Sequence, residues 1–214
     1  MKAYQLKIEL VDSKPLIWRR IIIPADVTFK RLHDTIQFSM DWRDEHLYEF
    51  NFPQEKLRIT NDEEAYEHFK LTKEKYKGKE LTKRNDPRGF IARVLETTIR
   101  QPQTIKIDQY LEKYNNIDYV YDFGDYWRHK IELESIVEDY QFGYPVVLAG
   151  EGACPPEDVG GLGGYEAFLL AWNDSEHPEH SFIREWGAEQ RYREFDIDFR
   201  NSLMKSFLKI KKVT

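Results

Sequence analysis

Hydrophobic and polar residues alternate at the start of the chain. Residues 4 to 10 follow a period of two, which predicts a half-buried strand, and residues 12 to 15 carry turn-forming Asp, Ser and Pro. Residues 16 to 23 predict the returning strand of a hairpin. Apolar residues then recur at helical spacing from Phe29 to Met40, so we expect a helix capped by Thr28.

The same two periods predict the later elements. Residues 46 to 52 predict a strand with an inward aromatic face, residues 54 to 60 a short strand, and Thr60 to Glu63 a capping box that begins a charged helix. Further predictions are a short helix at 107–114, strands at 117–123, 126–137 and 146–150, a helix from Tyr165 to Trp172, and a last helix capped by Asp196 or Asp198. Strands grouped in hairpins with helices between them predict an α+β fold, with a largely antiparallel sheet and helices packed on one face.

Length and charge limit the function classes. The 214 residues suffice for a single domain over 1–214, with a charged insertion at about 61–90. A formal net charge of −6 gives no overall attraction for nucleic acid or an anionic membrane. The sequence shows no apolar run of membrane-spanning length, so we expect no membrane partner and a cytoplasmic location. A single cysteine excludes an intramolecular disulfide and a cysteine-rich zinc site.

One segment runs against the overall charge. Residues 70 to 88 contain eight basic and three acidic residues. Such a run is more often a solvated insertion than a binding surface, yet it is the part of the chain that could contact nucleic acid. The candidate contacts are Lys73, Lys77, Lys79, Lys83 and Arg84.

The stretch YVYDFGDYWRHKIELE, residues 119 to 134, predicts a tight turn between two strands. After the turn, the alternation places Trp127 and His129 on the inward face. A buried imidazole requires hydrogen-bond partners, and the commoner interpretation of His129 is a core histidine that locks the turn. The alternative is a metal ligand or general base beside Asp122 or Asp125.

The stretch EGACPPEDVGGLGGYEAFL, residues 151 to 169, predicts a stiff acidic turn that begins a helix. It lacks the lysine and hydroxyl groups of a phosphate-binding loop. Glu157 and Asp158 suit a hard cation, but the favoured interpretation is that Asp158 caps the following turn and accepts backbone amide hydrogens. Cys154 has no neighbouring base or protease signature, which favours a small buried thiol over a nucleophile.

Four segments together resemble the plasmid pRiA4b ORF-3-like family: LHDTIQFSMDW, HLYEF, YDFGDYWRH and ACPPEDVGGLGGYEAF. The resemblance spans most of the chain and implies an α+β domain, found in bacteria and archaea, often encoded on plasmids or near transposons, with no established activity. Some members carry mobile-element or resolvase-like labels. Recombination is not supported here, because Ser13 lies in a hairpin turn and no basic helix-turn-helix is evident.

The family motifs supply the candidate site. Its residues are His33, Trp42, His46, Tyr121, Asp122, Asp125, Trp127, His129, Cys154, Glu157, Asp158 and Tyr165. The leading hypothesis is an accessory or binding domain associated with mobile elements, in which the 121–129 and 151–165 motifs pack together.

Two rival hypotheses remain. One is a metal-dependent hydrolase acting on nucleic acid or phosphoesters, with Asp122, Asp125, His129 and Asp158 as ligands. The other is a DNA-binding protein that uses the 70–88 segment. No organic cofactor is expected, although these side chains could hold a divalent metal ion. A protein partner is a further open alternative.

Overall fold

Eight strands form one sheet in the computed structural model, which describes residues 1–209. The strands are β1 Ala3–Leu10, β2 Trp18–Pro24, β3 Tyr48–Phe52, β4 Leu57–Thr60, β5 Thr98–Arg100, β6 Asn116–Tyr121, β7 Trp127–Val137 and β8 Val146–Glu151. Their order is β5-β4-β3-β6-β7-β1-β2-β8. Every neighbouring pair is antiparallel except β4 and β5, which confirms the predicted α+β fold with a largely antiparallel sheet.

Seven α-helices accompany the sheet in the described residues. They are α1 Phe29–Met40, α2 Glu63–Lys75, α3 Phe90–Glu96, α4 Asp108–Leu111, α5 Gly161–Asn173, α6 His180–Glu189 and α7 Ile197–Phe207. The predicted caps of two helices are confirmed, since the side chains of Thr28 and Asp196 accept first-turn amides. The cap of α2 was predicted wrongly: Asp62 holds it, because Thr60 instead donates its hydroxyl to Tyr48 O at 2.6 Å.

Three elements lack a sequence prediction. Helix α3 and strand β5 follow the basic segment, and α6 follows the loop at His177. Strand β5 has three residues and pairs in parallel with β4, so its position depends on the crossover through α2 and α3. A strand this short carries too little alternation to be recognised.

Aromatic side chains fill the core between the central strands and α1. Tyr48 and Phe50 on β3 and Tyr119 on β6 have no exposed surface, and the Phe29 ring of α1 lies 4.9 Å from that of Phe50. This confirms the inward aromatic face predicted for residues 46 to 52. Strand β7 alternates buried and exposed positions from Trp127 to Glu132, as predicted.

Strand register brings three chain segments together at one end of the central strands β3, β6 and β7. Tyr121, the last residue of β6, pairs with Tyr48 at the start of β3 and with Trp127 at the start of β7. His46 therefore lies just before this point on one strand and Asp122 just after it on the next. The amide of Asp122 donates to Leu47 O at 2.9 Å, which fixes the two segments side by side.

Within residues 1–209, no helix is both long enough and apolar enough to cross a membrane.

Candidate functional site

The 151–165 loop lies against the α1–β3 connection and the turn between β6 and β7. Trp42 Nε1 donates to Pro155 O at 3.1 Å, and Tyr165 donates its hydroxyl to Ala153 O at 3.0 Å. On the other side, the amide of Gly160 donates to Asp125 Oδ2 at 3.0 Å. The two family motifs are therefore in direct contact, as the sequence predicted.

Two positions in this loop require glycine. Gly161 has φ +68°, and a β-carbon there would lie 2.8 Å from the carbonyl oxygen of Asp125. A β-carbon on Gly164 would lie 1.9 Å from the carbonyl oxygen of Val159. Both distances are below van der Waals contact. Glycine at 161 therefore lets the loop reach the turn, and glycine at 164 lets the first turn of α5 pack against the loop's own Val159.

The imidazole of His46 is at the centre of this junction. Its Nε2 atom lies 3.2 Å from Asp158 Oδ1, 3.7 Å from Asp122 Oδ2 and 3.8 Å from Glu157 Oε2. These residues come from three separate segments of the chain. The junction thus collects one ring nitrogen and three carboxylates around a single point.

Glu157 is the most buried of the three carboxylates, with 3% of its side chain exposed. Its Oε1 atom accepts the backbone amide of Arg43 at 2.9 Å and the hydroxyl of Tyr121 at 3.0 Å. Its Oε2 atom, like Nε2 of His46, is buried without a hydrogen-bond partner among residues 1–209. Burial raises the pKa of Glu157 above its ordinary value, since the charged carboxylate loses solvation.

Asp122 and Glu45 complete the surroundings of His46. Asp122 Oδ1 accepts the amide of Gly124 at 2.8 Å, which leaves its Oδ2 atom to face His46. Glu45, His46 and Asp158 each offer a ligand atom, and the three atoms lie within 4.8 Å of one another. Glu45 also forms an ion pair with Arg43 at 3.0 Å, which a metal ion would have to displace or share.

The separations around His46 fit shared coordination of one ion. Two ligand atoms that each lie about 2.1 Å from a metal, at an angle of about 90° to 130°, are about 3.0 to 3.8 Å apart. The three measured nitrogen–oxygen distances fall in this range. Good neutral hydrogen bonds are shorter, with a usual value near 2.9 Å.

A second histidine–carboxylate group, His33 with Asp34 and Asp44, has its polar atoms already engaged. Nδ1 of His33 contacts the Tyr119 hydroxyl at 2.8 Å, and Nε2 contacts Asp44 at 2.7 Å. Lys30 forms ion pairs with both carboxylates. Burial lowers the pKa of His33, so the group is a satisfied hydrogen-bond network.

His129, a ligand candidate from the sequence, is in the core and apart from the His46 cluster. It is 1% exposed, and its ring packs 5.2 Å from those of Trp42 and Tyr119. Burial lowers its pKa from 6.5 to about 3, which makes it a neutral imidazole. Neither ring nitrogen hydrogen-bonds a side chain among residues 1–209, so no carboxylate holds the ring, and the backbone groups of Trp127 and Tyr119 are its polar neighbours.

The remaining predicted site residues are buried in the core, hold the loop, or lie on the surface. Trp127 is fully buried, and burial raises the pKa of the Cys154 thiol well above its ordinary value. Asp125 holds the loop amide of Gly160, the role expected for Asp158, whereas Asp158 faces His46. Of the basic candidates, Lys73 and Lys77 line a cleft beside β5, and Lys79, Lys83 and Arg84 do not.

Sequence reasoning missed Glu45 and did not select His46 as a ligand. The one available signal was the adjacent pair Glu45-His46 just before a predicted strand, since strand ends commonly present functional side chains. Pairing across the sheet was needed to show that Asp122 and the 151–165 loop meet there.

Comparison with known proteins relates this chain to one family. The family model described as plasmid pRiA4b ORF-3-like protein matches residues 2–202. The chain is 30% identical over 188 residues to the uncharacterized protein y4hQ of Sinorhizobium fredii (strain NBRC 101917 / NGR234), covering 88% of this chain and 82% of that protein.

A solved structure agrees with this match. The chain is similar to the crystal structure of MM3350, a protein of unknown function from Methanosarcina mazei Go1, with a TM-score of 0.66 and 33% identity. The match covers 92% of this chain and 96% of that one. No activity is stated in the names of these relatives. The chain therefore belongs to the plasmid pRiA4b ORF-3-like family.

Proposed function

We propose that this protein binds one divalent metal ion at His46, with Asp158 and Glu45 as the oxygen ligands. Asp122 and Glu157 surround the same point and supply further negative charge. The observation that carries the proposal is the pair of buried atoms without partners, Nε2 of His46 and Oε2 of Glu157, which lie 3.8 Å apart. Buried polar atoms are nearly always satisfied, and these two face each other among several carboxylates, where a cation would satisfy both, whereas the unpartnered ring nitrogens of His129 lie among aromatic rings.

Charge at the junction supports a cation. Four carboxylates, those of Glu45, Asp122, Glu157 and Asp158, converge on one imidazole. Arg43 is the cation paired with one of them, Glu45. Like charges held this close oppose one another, and a divalent ion would offset that repulsion.

The donor set favours a transition metal. Imidazole nitrogen suits Zn²⁺, Fe²⁺ and similar ions, whereas Mg²⁺ and Ca²⁺ prefer sites built from oxygen alone. One nitrogen with several carboxylates therefore selects Mn²⁺, Fe²⁺ or Zn²⁺ over Mg²⁺. Binding requires unprotonated ligands, so affinity should fall as the solution is acidified.

Isothermal titration calorimetry with Mn²⁺, Zn²⁺ and Mg²⁺ tests this proposal. We expect one transition-metal ion per chain, and at least about a tenfold loss of affinity in both His46→Ala and Asp158→Asn. His68→Ala is the matched control, because His68 is exposed on α2 and should bind metal as the wild type does. A wild type that binds none of the ions, or a His46→Ala variant with unchanged affinity, would refute the proposal.

A second candidate function, metal-dependent hydrolysis, is favoured by the geometry of Glu157. The Tyr121 hydroxyl and the Arg43 amide hold one of its carboxylate oxygens, and the other points at the proposed metal. A buried carboxyl group with a raised pKa is suited to take a proton from metal-bound water. An apolar groove that begins at Asp158 and runs between α5 and α6 could hold the organic part of a substrate.

Chromogenic esters separate metal binding from hydrolysis. Wild-type protein with Mn²⁺ or Zn²⁺ would be assayed with p-nitrophenyl acetate, p-nitrophenyl phosphate and bis(p-nitrophenyl) phosphate. Glu157→Gln keeps the size of the side chain and removes the base, so we expect about a hundredfold loss of turnover or more with a smaller effect on metal binding. Equal turnover in wild type and Glu157→Gln would remove the hydrolase hypothesis and leave metal binding intact.

A further inference from the structure

A basic cleft lies at the edge of the sheet formed by β5. It is open, measures about 570 Å³, and is lined by one face of α2, by Leu95 of α3 and by β5. Strand β5 is the terminal strand in the sheet order. This size is within the usual range for ligand sites, and the cleft does not share a lining residue with the His46 junction.

The cleft concentrates positive charge on an otherwise acidic chain. Lys70, Lys73 and Lys77 recur at helical spacing along α2 and its C-terminal extension, and Arg100 faces them from β5. Glu74 is the acidic residue in the lining. Lys70 pairs with Glu67, whereas no carboxylate within residues 1–209 lies in ion-pair range of the other three. Their charge is available to an anion.

Aromatic side chains accompany the charges. Tyr66 on α2 and Tyr76, the residue that follows its last turn, are both half-buried and ten residues apart, which corresponds to about 15 Å along the helix axis. Phe69 forms part of the floor, and the Lys73 ammonium lies 5.5 Å from the centre of its ring. A groove that combines cations with accessible ring faces can contact phosphates and stack on bases.

We propose that this cleft binds single-stranded nucleic acid. Lysine and arginine would contact the phosphates, while Tyr66 and Tyr76 would stack on unpaired bases. A duplex buries its base faces within the helix and would use the charges alone. An acidic peptide has no base to stack on the tyrosine rings, so the aromatic residues favour the nucleic acid.

Fluorescence anisotropy with a labelled oligothymidylate of about 16 nucleotides tests the proposal, in EDTA so that the proposed metal site does not contribute. Contacts to three or four phosphates predict a slope of about −2 to −3 for the logarithm of affinity against the logarithm of salt concentration. Lys73→Gln/Lys77→Gln should reduce that slope by about 1.4 and the affinity by about tenfold or more.

Two further variants make the test specific. Lys83→Gln/Arg84→Gln removes the same charge outside the cleft and should lower affinity by less than about threefold. Tyr66→Ala should lower affinity by about fivefold or more through lost stacking. Circular dichroism of each variant checks that the fold is retained.

Three results would overturn the proposal. They are an affinity for duplex DNA or polyglutamate equal to that for the single strand, equal losses of affinity in the two double variants, and no binding at low salt. A failure of metal binding at His46 would leave it unaffected, since the two sites share no residue.

Discussion

Alanine at Gly164 should damage the protein, whereas alanine at its neighbour Gly163 should stabilise it. Both residues lie in the first turn of α5. The β-carbon added at Gly164 would lie 1.9 Å from the carbonyl oxygen of Val159, and that added at Gly163 would meet no atom within 4 Å. The pair therefore differs in packing while the chemical change is identical.

The magnitude follows from the size of the clash. Real β-carbons essentially never approach another heavy atom within 3.0 Å, so the Val159 carbonyl must move by about 1.1 Å or more. Such overpacking costs about 3 kcal/mol when the obstacle is backbone, which cannot rotate away. Alanine is better than glycine in a helix by about 1 kcal/mol. The net loss at Gly164 is about 2 kcal/mol, against a gain of about 1 kcal/mol at Gly163.

Urea unfolding, followed by tryptophan fluorescence and far-UV circular dichroism, measures both changes. The two variants should differ by about 3 kcal/mol in the free energy of unfolding, or about 6 to 12 °C in Tm for a chain of this size. Val159 follows Asp158 directly, so Gly164→Ala should also weaken metal binding. A Gly164→Ala protein as stable as Gly163→Ala would refute the close contact between the loop and α5.

Three other predictions concern buried groups. The pKa of His129 falls from 6.5 to about 3 on folding, so between these pH values the unfolded chain binds one more proton than the folded chain, and stability should be lost as pH drops from 6.5 towards 3. His129→Gln should flatten this dependence by up to about 1.4 kcal/mol per pH unit. An unchanged slope would contradict the burial of His129. Burial raises the pKa of Cys154, so Ellman's reagent should label it no faster than the protein unfolds, and rapid labelling of native protein would contradict this. Tyr121→Phe removes a hydroxyl that donates to Glu157 and accepts the Glu45 amide, and should lower the free energy of urea unfolding by about 1 to 2 kcal/mol, whereas no change would argue against this network.

Local patterns in the sequence were sufficient for most of the fold. The hairpin of β1 and β2, the helix capped by Thr28 and the inward aromatic face of β3 follow from periodicity that each segment carries by itself. Strand β5 could not be found this way, because three residues show no period and its parallel partner is set by the crossover.

The candidate site was predicted in part. Asp122, Glu157 and Asp158 were selected from their motifs, and all three face one imidazole in the structure. The sequence favoured a core histidine at His129, which its burial bears out, but it offered His129 and not His46 as the alternative metal ligand. Alternation correctly placed His129 inward, but alternation cannot tell a side chain in the core from one that faces a polar junction at the end of the sheet.

The sequence by itself determined which residues are inward-facing, where the turns lie and which two motifs carry the unusual chemistry. Only the tertiary structure decided that His46 faces their carboxylates. Strand register sets that meeting, since it pairs Tyr121 with Tyr48 and thereby places Asp122 beside His46. Register arises from contacts between distant segments of the chain. The approach of the 151–165 loop to the turn depends in addition on glycine at 161. No local pattern in the sequence encodes either set of contacts.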